Sequence, residues 1–405
     1  MINTEMLQFP IIYANARPIG RIAVGWGVYK TAADECKAVG IKNALIVSTG
    51  LKGTGIIDEI EGVLKAGGIS TEIYNKVTSN PKDTEVMEGY RIFKEGGCDG
   101  VVSVGGGSSH DCGKAIRAVA SNNGRHIIDF AIYIEGIHRK QRVKSNRINI
   151  PQISVNTTAG TGAENTLVAV ITDTKNHVKQ GIEMEGAPAN AALIDPLLVR
   201  LMPAHIAAWT GWDAFTHAFE SFTSKIRSPY TRFIQLGTIK LVAENLREFV
   251  WNPMNHVACE NMCWAESMGS IGMNFGGGGG IVHGLGGGIN RVTDCHHGFA
   301  NTVVTVPSER YNESACPDRF AEMVQAMGVD TTHMTTLQAA DKWFDEVERM
   351  LDDLNLETGN LQKRFGLTHK DLEETAAGYG NSVASQGNPR AYDYEETLKI
   401  LEDMM

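Results

Sequence analysis

Along the first half of the chain, short β-branched apolar runs alternate with amphipathic stretches. The runs 44–48 (ALIVS), 69–74 and 100–104 (GVVSV) read as strands, and the segments 56–65, 84–95 and 109–121 between them carry apolar residues on one helical face. Further strands are expected at 153–156, 167–172 and 191–194, the last broken by Asp195-Pro196. This order predicts a parallel sheet covered by helices, an α/β Rossmann-like unit. After Pro196 the alternation stops, and helical periodicity takes over near 204–223, 229–249, 256–273, 318–328 and 336–354. The change of texture places a boundary there, giving an α/β domain over 1–196 and an all-helical domain over 197–405. No Pro- or Ser-rich linker separates them, so a tight apposition with a cleft is expected. Ligands favour such clefts and the carboxyl ends of parallel strands.

Composition narrows the partners. With 37 basic against 47 acidic residues the formal net charge is −10, which repels phosphodiester backbones and anionic lipid. Neither nucleic acid nor a membrane is an expected partner. The first twenty residues lack a basic segment followed by a continuous apolar one, and no run of eighteen apolar residues follows, so a cytoplasmic protein is expected. Seven cysteines without a Cys-x-x-Cys pair fit neither a disulfide framework nor a zinc knuckle. They read as small buried apolar residues; Cys295 stands apart because it lies two residues before His297. The 44 glycines among 405 residues, about 11% against a usual ~7%, ask for an explanation.

Part of it lies in three turns. Gly105-Gly106-Gly107-Ser108-Ser109-His110-Asp111 follows a strand and opens a helix, where glycines admit a ligand to the backbone and free amides face phosphate oxygens. The run departs from G-x-G-x-x-G, because His110 stands at the last glycine, and from the Walker pattern, because Ala115 follows Lys114. A tight turn without ligand is the other reading. Thr157-Thr158-Ala159-Gly160-Thr161-Gly162-Ala163-Glu164 also follows a strand and offers hydroxyls and small residues to a flat ring or a pyrophosphate. The turn Thr49-Gly50-Leu51-Lys52-Gly53-Thr54-Gly55 lies where an adenosine ribose sits in a doubly wound sheet. Thr49 is not acidic and Lys52 is basic, so NAD is not enforced over NADP.

The metal-like set is sharper. Asp213 and His217 are four apart in a helical segment and project from one face. His283 lies in a glycine run and His297 fourteen residues later. One carboxylate and three imidazoles can bind a divalent first-row ion and leave a position open for an oxygen ligand. Nine of the thirteen positions 276–288 are glycine, the composition of a flexible linker. The run nevertheless interrupts a helical region and contains Val282, His283 and Leu285, so close packing or close approach of a ligand explains it better.

The ordered set GGGSSHD, NTTAGTGAE, LIDP, TGWDAFTHAFE, IVHG, HHGFAN and GNPR (387–390) resembles the iron-containing (group III) alcohol dehydrogenases over almost the whole chain. STGLKGTGIIDEI, NPKDTEVME and the HHG form are most similar to the branch with nitrosoaniline-dependent methanol dehydrogenases. The resemblance implies a dinucleotide-binding domain, a helical metal-binding domain and catalysis between them. It implies Asp213, His217, His283 and His297 as metal ligands, with Fe²⁺ favoured and Zn²⁺ or another divalent ion open. It places the pyrophosphate on Gly106, Gly107 and Ser108, with Gly105 in the same cofactor-binding turn and Asp111 supporting it, and Thr157, Thr158 and Thr161 beside the nicotinamide. Lys179 would approach the ribose, and Thr49, Gly50 and Lys52 complete the cofactor set, NAD(H) being favoured and NADP(H) open. Many members carry a second histidine four residues after the first glycine-flanked one; here that residue is Gly287. A homodimer or larger homo-oligomer is expected.

The reaction expected is reversible hydride transfer between a small polar alcohol or aldehyde and the nicotinamide. The ion itself polarises the substrate oxygen, and no side chain is assigned as acid or base. Val168, Trp212, Asn274, Gly287 and Arg291 are expected to shape the substrate pocket, with Arg291 able to receive an anionic group such as that of sulfoacetaldehyde. Two other readings stay open: a cyclase or lyase of the dehydroquinate-synthase type, and a binding or scaffold relative without chemistry.

Overall fold

The computed structural model describes residues 20–405 except 136–137, 227, 276–277, 357 and 380–386. The reading of the N-terminal segment as lacking an export signal, and Gly276 and Gly277 of the glycine run, lie outside the described residues.

The strands of the first half are β1 (Arg21–Val24), β2 (Asn43–Ser48), β3 (Ser70–Tyr74), β4 (Gly100–Gly105), β5 (Ile132–Glu135), β6 (His138–Gln141), β7 (Gln152–Asn156), β8 (Val168–Asp173), β9 (Val178–Glu183) and β10 (Ala191–Ile194). Six form one sheet in the order β1-β10-β7-β4-β2-β3, with every neighbour parallel. Helices α1 (Ala32–Ala38), α2 (Ile56–Ala66), α3 (Asp83–Glu95) and α4 (Gly107–Ser121) cover it. The two-residue period of a strand divides β2 between the two faces: Leu45 and Val47 pack with Val86, Cys112 and Ile116, while Ala44 and Ile46 pack with Cys36, Ile60 and Leu64. Both faces are buried, and so β2 and β4 read as nearly continuous apolar runs, whereas β7 is equally buried but alternates Gln152, Ser154 and Asn156 with Ile153 and Val155.

The strand expected at 167–172 forms, but not in this sheet. As β8 it pairs antiparallel with β9 in a separate hairpin, because its residues alternate between buried and exposed and only one face is covered. The edge strand β1 carries no continuous buried run, which hid it from the apolar pattern.

From Pro196 onward every described element is a helix: α5 (Pro196–Val199), α6 (Ala204–Thr223), α7 (Pro229–Trp251), α8 (His256–Phe275), α9 (Ile281–Thr293), α10 (His297–Glu313), α11 (Pro317–Ala326), α12 (Thr336–Asp353), α13 (Leu361–Phe365), α14 (His369–Tyr379) and α15 (Tyr394–Glu402). Trp212, Phe215, Phe219, Phe320 and Trp343 form their common core, which also takes in Ala159 and Ile194 from the sheet side. The two halves therefore share part of one core at their seam. Among the described residues no helix is long and apolar enough to cross a membrane.

The chain runs from β2 outward to β3 and returns on the other side as β4. That reversal opens a crevice at the carboxyl ends of β2 and β4, the place where doubly wound sheets bind ligands.

Candidate active site

Asp213 and His217 lie one turn apart on α6, His283 in the first turn of α9, and His297 at the start of α10. Asp213 Oδ1 is their hub, with Nε2 of His283, His297 and His217 at 3.5, 3.7 and 3.8 Å. Ligand atoms about 2.1 Å from a tetrahedral ion stand roughly 3.4 Å apart, and these distances to Asp213 Oδ1 are close to that spacing. Donor atoms of Asp213, His283 and His297 all fall within 4.8 Å of one another, and the His217 ring stacks on His283 at 4.9 Å. The side chains of Asp213, His217 and His283 are 4%, 6% and 13% exposed against 35% for His297, so the cluster opens on the His297 side.

Further side chains fix this geometry. Glu220, one turn beyond His217 on α6, is in short contact with His283 Nδ1, and its other oxygen accepts from Val282 N and His283 N. Asn301, one turn into α10, donates Nδ2 to Asp213 Oδ1 at 3.0 Å. Of the adjacent pair His296-His297, His296 Nδ1 accepts from Gly298 N and caps α10 while its ring stacks on Trp209, which leaves His297 for the cluster. Burial opposes ionisation of Asp213, yet His217, His297 and His283 outweigh it and hold the carboxyl below its ordinary range. Burial lowers His217 and His297. It opposes protonation of His283 too, but Glu220 and Asp213 raise that ring to about 10. His217 Nδ1, His283 Nε2 and His297 Nδ1 are buried without a hydrogen-bond partner among the described residues.

The crevice gathers the three Gly-bearing turns. Thr49 N donates to Ser109 Oγ at 3.1 Å, and Thr157 N to Gly105 O at 3.0 Å. A Cβ on Gly106 would lie 2.6 Å from Thr158 Cγ2, and one on Gly107 3.2 Å from Thr161 Cβ. Thr157 is buried, Gly106, Gly107 and Ser108 are half-buried, and Gly50 and Lys52 are exposed at the rim. His110 is not available to a ligand: Nδ1 bonds Ser103 Oγ at 2.8 Å beneath the sheet, and burial pushes the ring down to about 3. Glu266 reaches from α8 into this loop, accepting from Asn156 Nδ2 at 2.7 and 2.8 Å and from Gly162 N at 2.9 Å.

Two family descriptions together match most of the chain: iron-containing alcohol dehydrogenase over residues 20–196, and its C-terminal counterpart over 207–405. The chain belongs to the iron-containing alcohol dehydrogenase family. It is 35% identical over 391 residues to a methanol:N,N-dimethyl-4-nitrosoaniline oxidoreductase of Mycobacterium sp. (strain DSM 3803 / JC1), covering 96% of this chain and 90% of that one. With the NAD-dependent methanol dehydrogenase of Bacillus methanolicus it shares 32% identity, over 94% and 97% of the two chains. The solved alcohol dehydrogenase from Oenococcus oeni superposes with a TM-score of 0.89 at 30% identity, covering 96% and 100%. The protein is accordingly an oxidoreductase of the alcohol dehydrogenase type.

Within this family framework, three expected residues sit elsewhere. Trp212 adjoins Asp213 in sequence but is fully buried in the helical core with Nε1 on Thr305 Oγ1. Arg291, two turns past His283, turns outward to donate to Glu374 O at 2.7 Å, and lines an open cavity of about 620 Å³ with His177 and Asp371. Asp111 ties α4 to β8 rather than to the glycine turn, accepting Lys114 Nζ and Val170 N, both at 2.9 Å. Val168 and Asn274 lie at the seam: Val168 O accepts Lys114 Nζ, and Asn274 Nδ2 donates to Asn165 O. Lys179 Nζ donates to Asn80 Oδ1 at 2.6 Å, and burial lowers it to about 8. A Cβ on Gly287 would meet nothing within 4 Å. None of the seven cysteines is paired, and burial raises the Cys295 thiol, which disfavours its thiolate. Glu220 and Asn301 were legible as residues one turn beyond His217 and His297; Glu266 had no sequence signal.

Proposed function

We propose that the protein is a metal-dependent, NAD(P)-linked dehydrogenase that interconverts a small, uncharged polar alcohol and its aldehyde, with Fe²⁺ and NAD(H) as the preferred pair. The observation that carries this reading is the hub of Asp213 Oδ1 with three imidazole nitrogens at 3.5–3.8 Å beside a glycine-lined crevice. The Nε2 atoms of the three imidazoles, of which that of His283 has no hydrogen-bond partner among the described residues, and the buried carboxylate are the donors a divalent ion requires, and imidazoles suit iron or zinc. The ion supplies Lewis-acid polarisation of the substrate oxygen, and the nicotinamide carries the hydride.

The chain's own residues do the rest. Asp213, His217, His283 and His297 hold the ion, and the open His297 side admits the substrate oxygen. Gly105–Gly107 with Ser108 take the pyrophosphate at the start of α4, and Thr157, Thr158 and Thr161 bound the nicotinamide on the seam side. Lys179 offers a donor to the ribose. Open space at Gly287 leaves room beside His283 for the substrate, and the turning of Arg291 to Glu374 favours a neutral substrate over an anionic one. The preference for NAD and the homo-oligomeric, cytoplasmic state belong to the same reading, drawn from the similarity to the methanol dehydrogenases.

Metal analysis together with NADH oxidation over a panel of small aldehydes tests it. Turnover that requires bound metal, and exceeds turnover of sulfoacetaldehyde, is the expected result. A metal- and cofactor-loaded protein that reduces no member of the panel would overturn the dehydrogenase reading and favour the scaffold.

A further inference from the structure

Helix α9 begins without a capping side chain of its own. Gly280 precedes it, and its first three amides are met from elsewhere: Ile281 N donates to Asn388 Oδ1 at 3.1 Å, and Val282 N and His283 N to Glu220 Oε1 at 2.7 and 3.2 Å. The second oxygen of Glu220 takes the Nδ1 hydrogen of His283, so one buried carboxylate grips both the backbone and the ring of the same residue. Position 280 must be glycine for this, since a Cβ there would lie 2.9 Å from Glu220 Oε1 and 3.0 Å from Asn388 Oδ1. Asn388 is fixed in turn by Asn312 through a reciprocal pair of bonds of 3.0 and 2.7 Å. Glu220 enters the site so far only by its contacts with the start of α9, and the GNPR segment has no part in the site as assigned.

We propose that Glu220 is the positioning residue of the metal centre, keeping the proton of His283 on Nδ1 and the lone pair of Nε2 aimed at the Asp213 hub, whereas Asn388 only holds the start of α9. This rests on reading the cluster as a metal site. The carboxylate behind a ligating imidazole fixes tautomer and ring angle. In Glu220→Gln the amide oxygen still accepts from the helix amides, but the amide nitrogen donates to Nδ1 and drives the ring proton to Nε2, against the ion.

The test uses full-length protein, with Co²⁺ affinity read by chelator competition, the visible d–d absorption of the Co²⁺ form, and the melting temperature of the metal-free form. Glu220→Gln is expected to weaken Co²⁺ binding by about 10- to 100-fold and to alter the absorption. Asn388→Ala is expected to lower the metal-free melting temperature with the Co²⁺ spectrum unchanged. Glu220→Asp, a shorter carboxylate, serves if the glutamine variant does not fold, and is expected to bind Co²⁺ more weakly than wild type. A Glu220 variant with wild-type affinity and spectrum overturns the assignment. Wild-type protein that takes up no Co²⁺ overturns the metal reading itself, and the assignment falls with it.

Discussion

Gly286 and Asn301 touch where α9 crosses α10: a Cβ on Gly286 would lie 2.2 Å from Asn301 Oδ1 and 3.2 Å from Asn301 N. Asn301 cannot swing away freely, because its Nδ2 holds Asp213 Oδ1 at 3.0 Å. Gly286→Ala gains about 1 kcal/mol of helix propensity but overpacks a buried contact, a cost of about 1–3 kcal/mol. The variant is expected to melt lower than wild type and to retain less metal. Elemental analysis and thermal unfolding check this, and unchanged values for both would show that the α9–α10 contact does not hold Asp213.

The next residue gives the opposite sign. Gly287 lies on the same helix, yet a Cβ there meets nothing within 4 Å. Gly287→Ala should therefore keep only the propensity gain and stabilise the fold by roughly 0.5–1 kcal/mol. Denaturant titration of the metal-free protein measures it. A destabilised variant would mean that the space beside His283 is not open.

Metal removal should separate fold from chemistry. The cluster is framed by three helices packed in one large core, so a chelator is expected to abolish NADH oxidation while leaving the helical circular dichroism intact, and added Fe²⁺ should restore activity. His297→Ala, which removes the most exposed ligand, is expected to lower kcat by at least about 10²-fold. Retention of full activity after exhaustive chelation would exclude a metal-dependent reaction.

How much of this was legible in the sequence depended on whether a signal was local. The strands β2 and β4 could be read because burial on both faces makes their apolar runs nearly continuous. Asp213 and His217 declared themselves by helical spacing on α6. Other features had no local signature. The hairpin pairing of β8 with β9 depends on which face α4 covers, and the outward turn of Arg291 on an acceptor, Glu374 O, that lies 83 residues away. Glu266 meets Asn156 110 residues away across the seam, in a helix whose pattern reads simply as core. The glycine run around His283 looked like a linker, yet most of it is helix α9, because Gly286 and Gly288 let Asn301 and Thr375 approach its backbone.

The seam carries a pH dependence. Burial raises Glu164 to about 7, with Lys114 partly opposing, and burial together with Glu164 raises Glu266 well above the carboxylate range. A carboxyl whose folded pKa is raised keeps its proton where the unfolded chain has lost it, so its effect on stability is absent below about pH 4.5 and grows more unfavourable up to about pH 7. Glu164→Gln has no proton to release, and its stability should fall less steeply than that of wild type between pH 5 and 7. Denaturant melts across that range measure the slope, and parallel profiles would place the titration on another group.

Cofactor binding should depend on the space between two loops. At Gly106 the backbone lies in the extended region, φ −101° and ψ −157°, which any residue adopts. The need for glycine is therefore one of room: a Cβ would lie 2.6 Å from Thr158 Cγ2 and 3.0 Å from its Oγ1. Gly106→Ala should push the 157–161 loop away from the start of α4 and weaken NADH binding by about 10-fold or more, for a displacement costing about 1–3 kcal/mol. Thr158→Ser removes Cγ2 but keeps the hydroxyl that bonds Asn156 Oδ1 at 3.2 Å, so the double variant should recover most of the affinity. NADH fluorescence titration of the two single variants and the double variant decides it. If Thr158→Ser brings no recovery, the loss comes from a methyl group standing in the pyrophosphate's own place rather than from the contact between the loops.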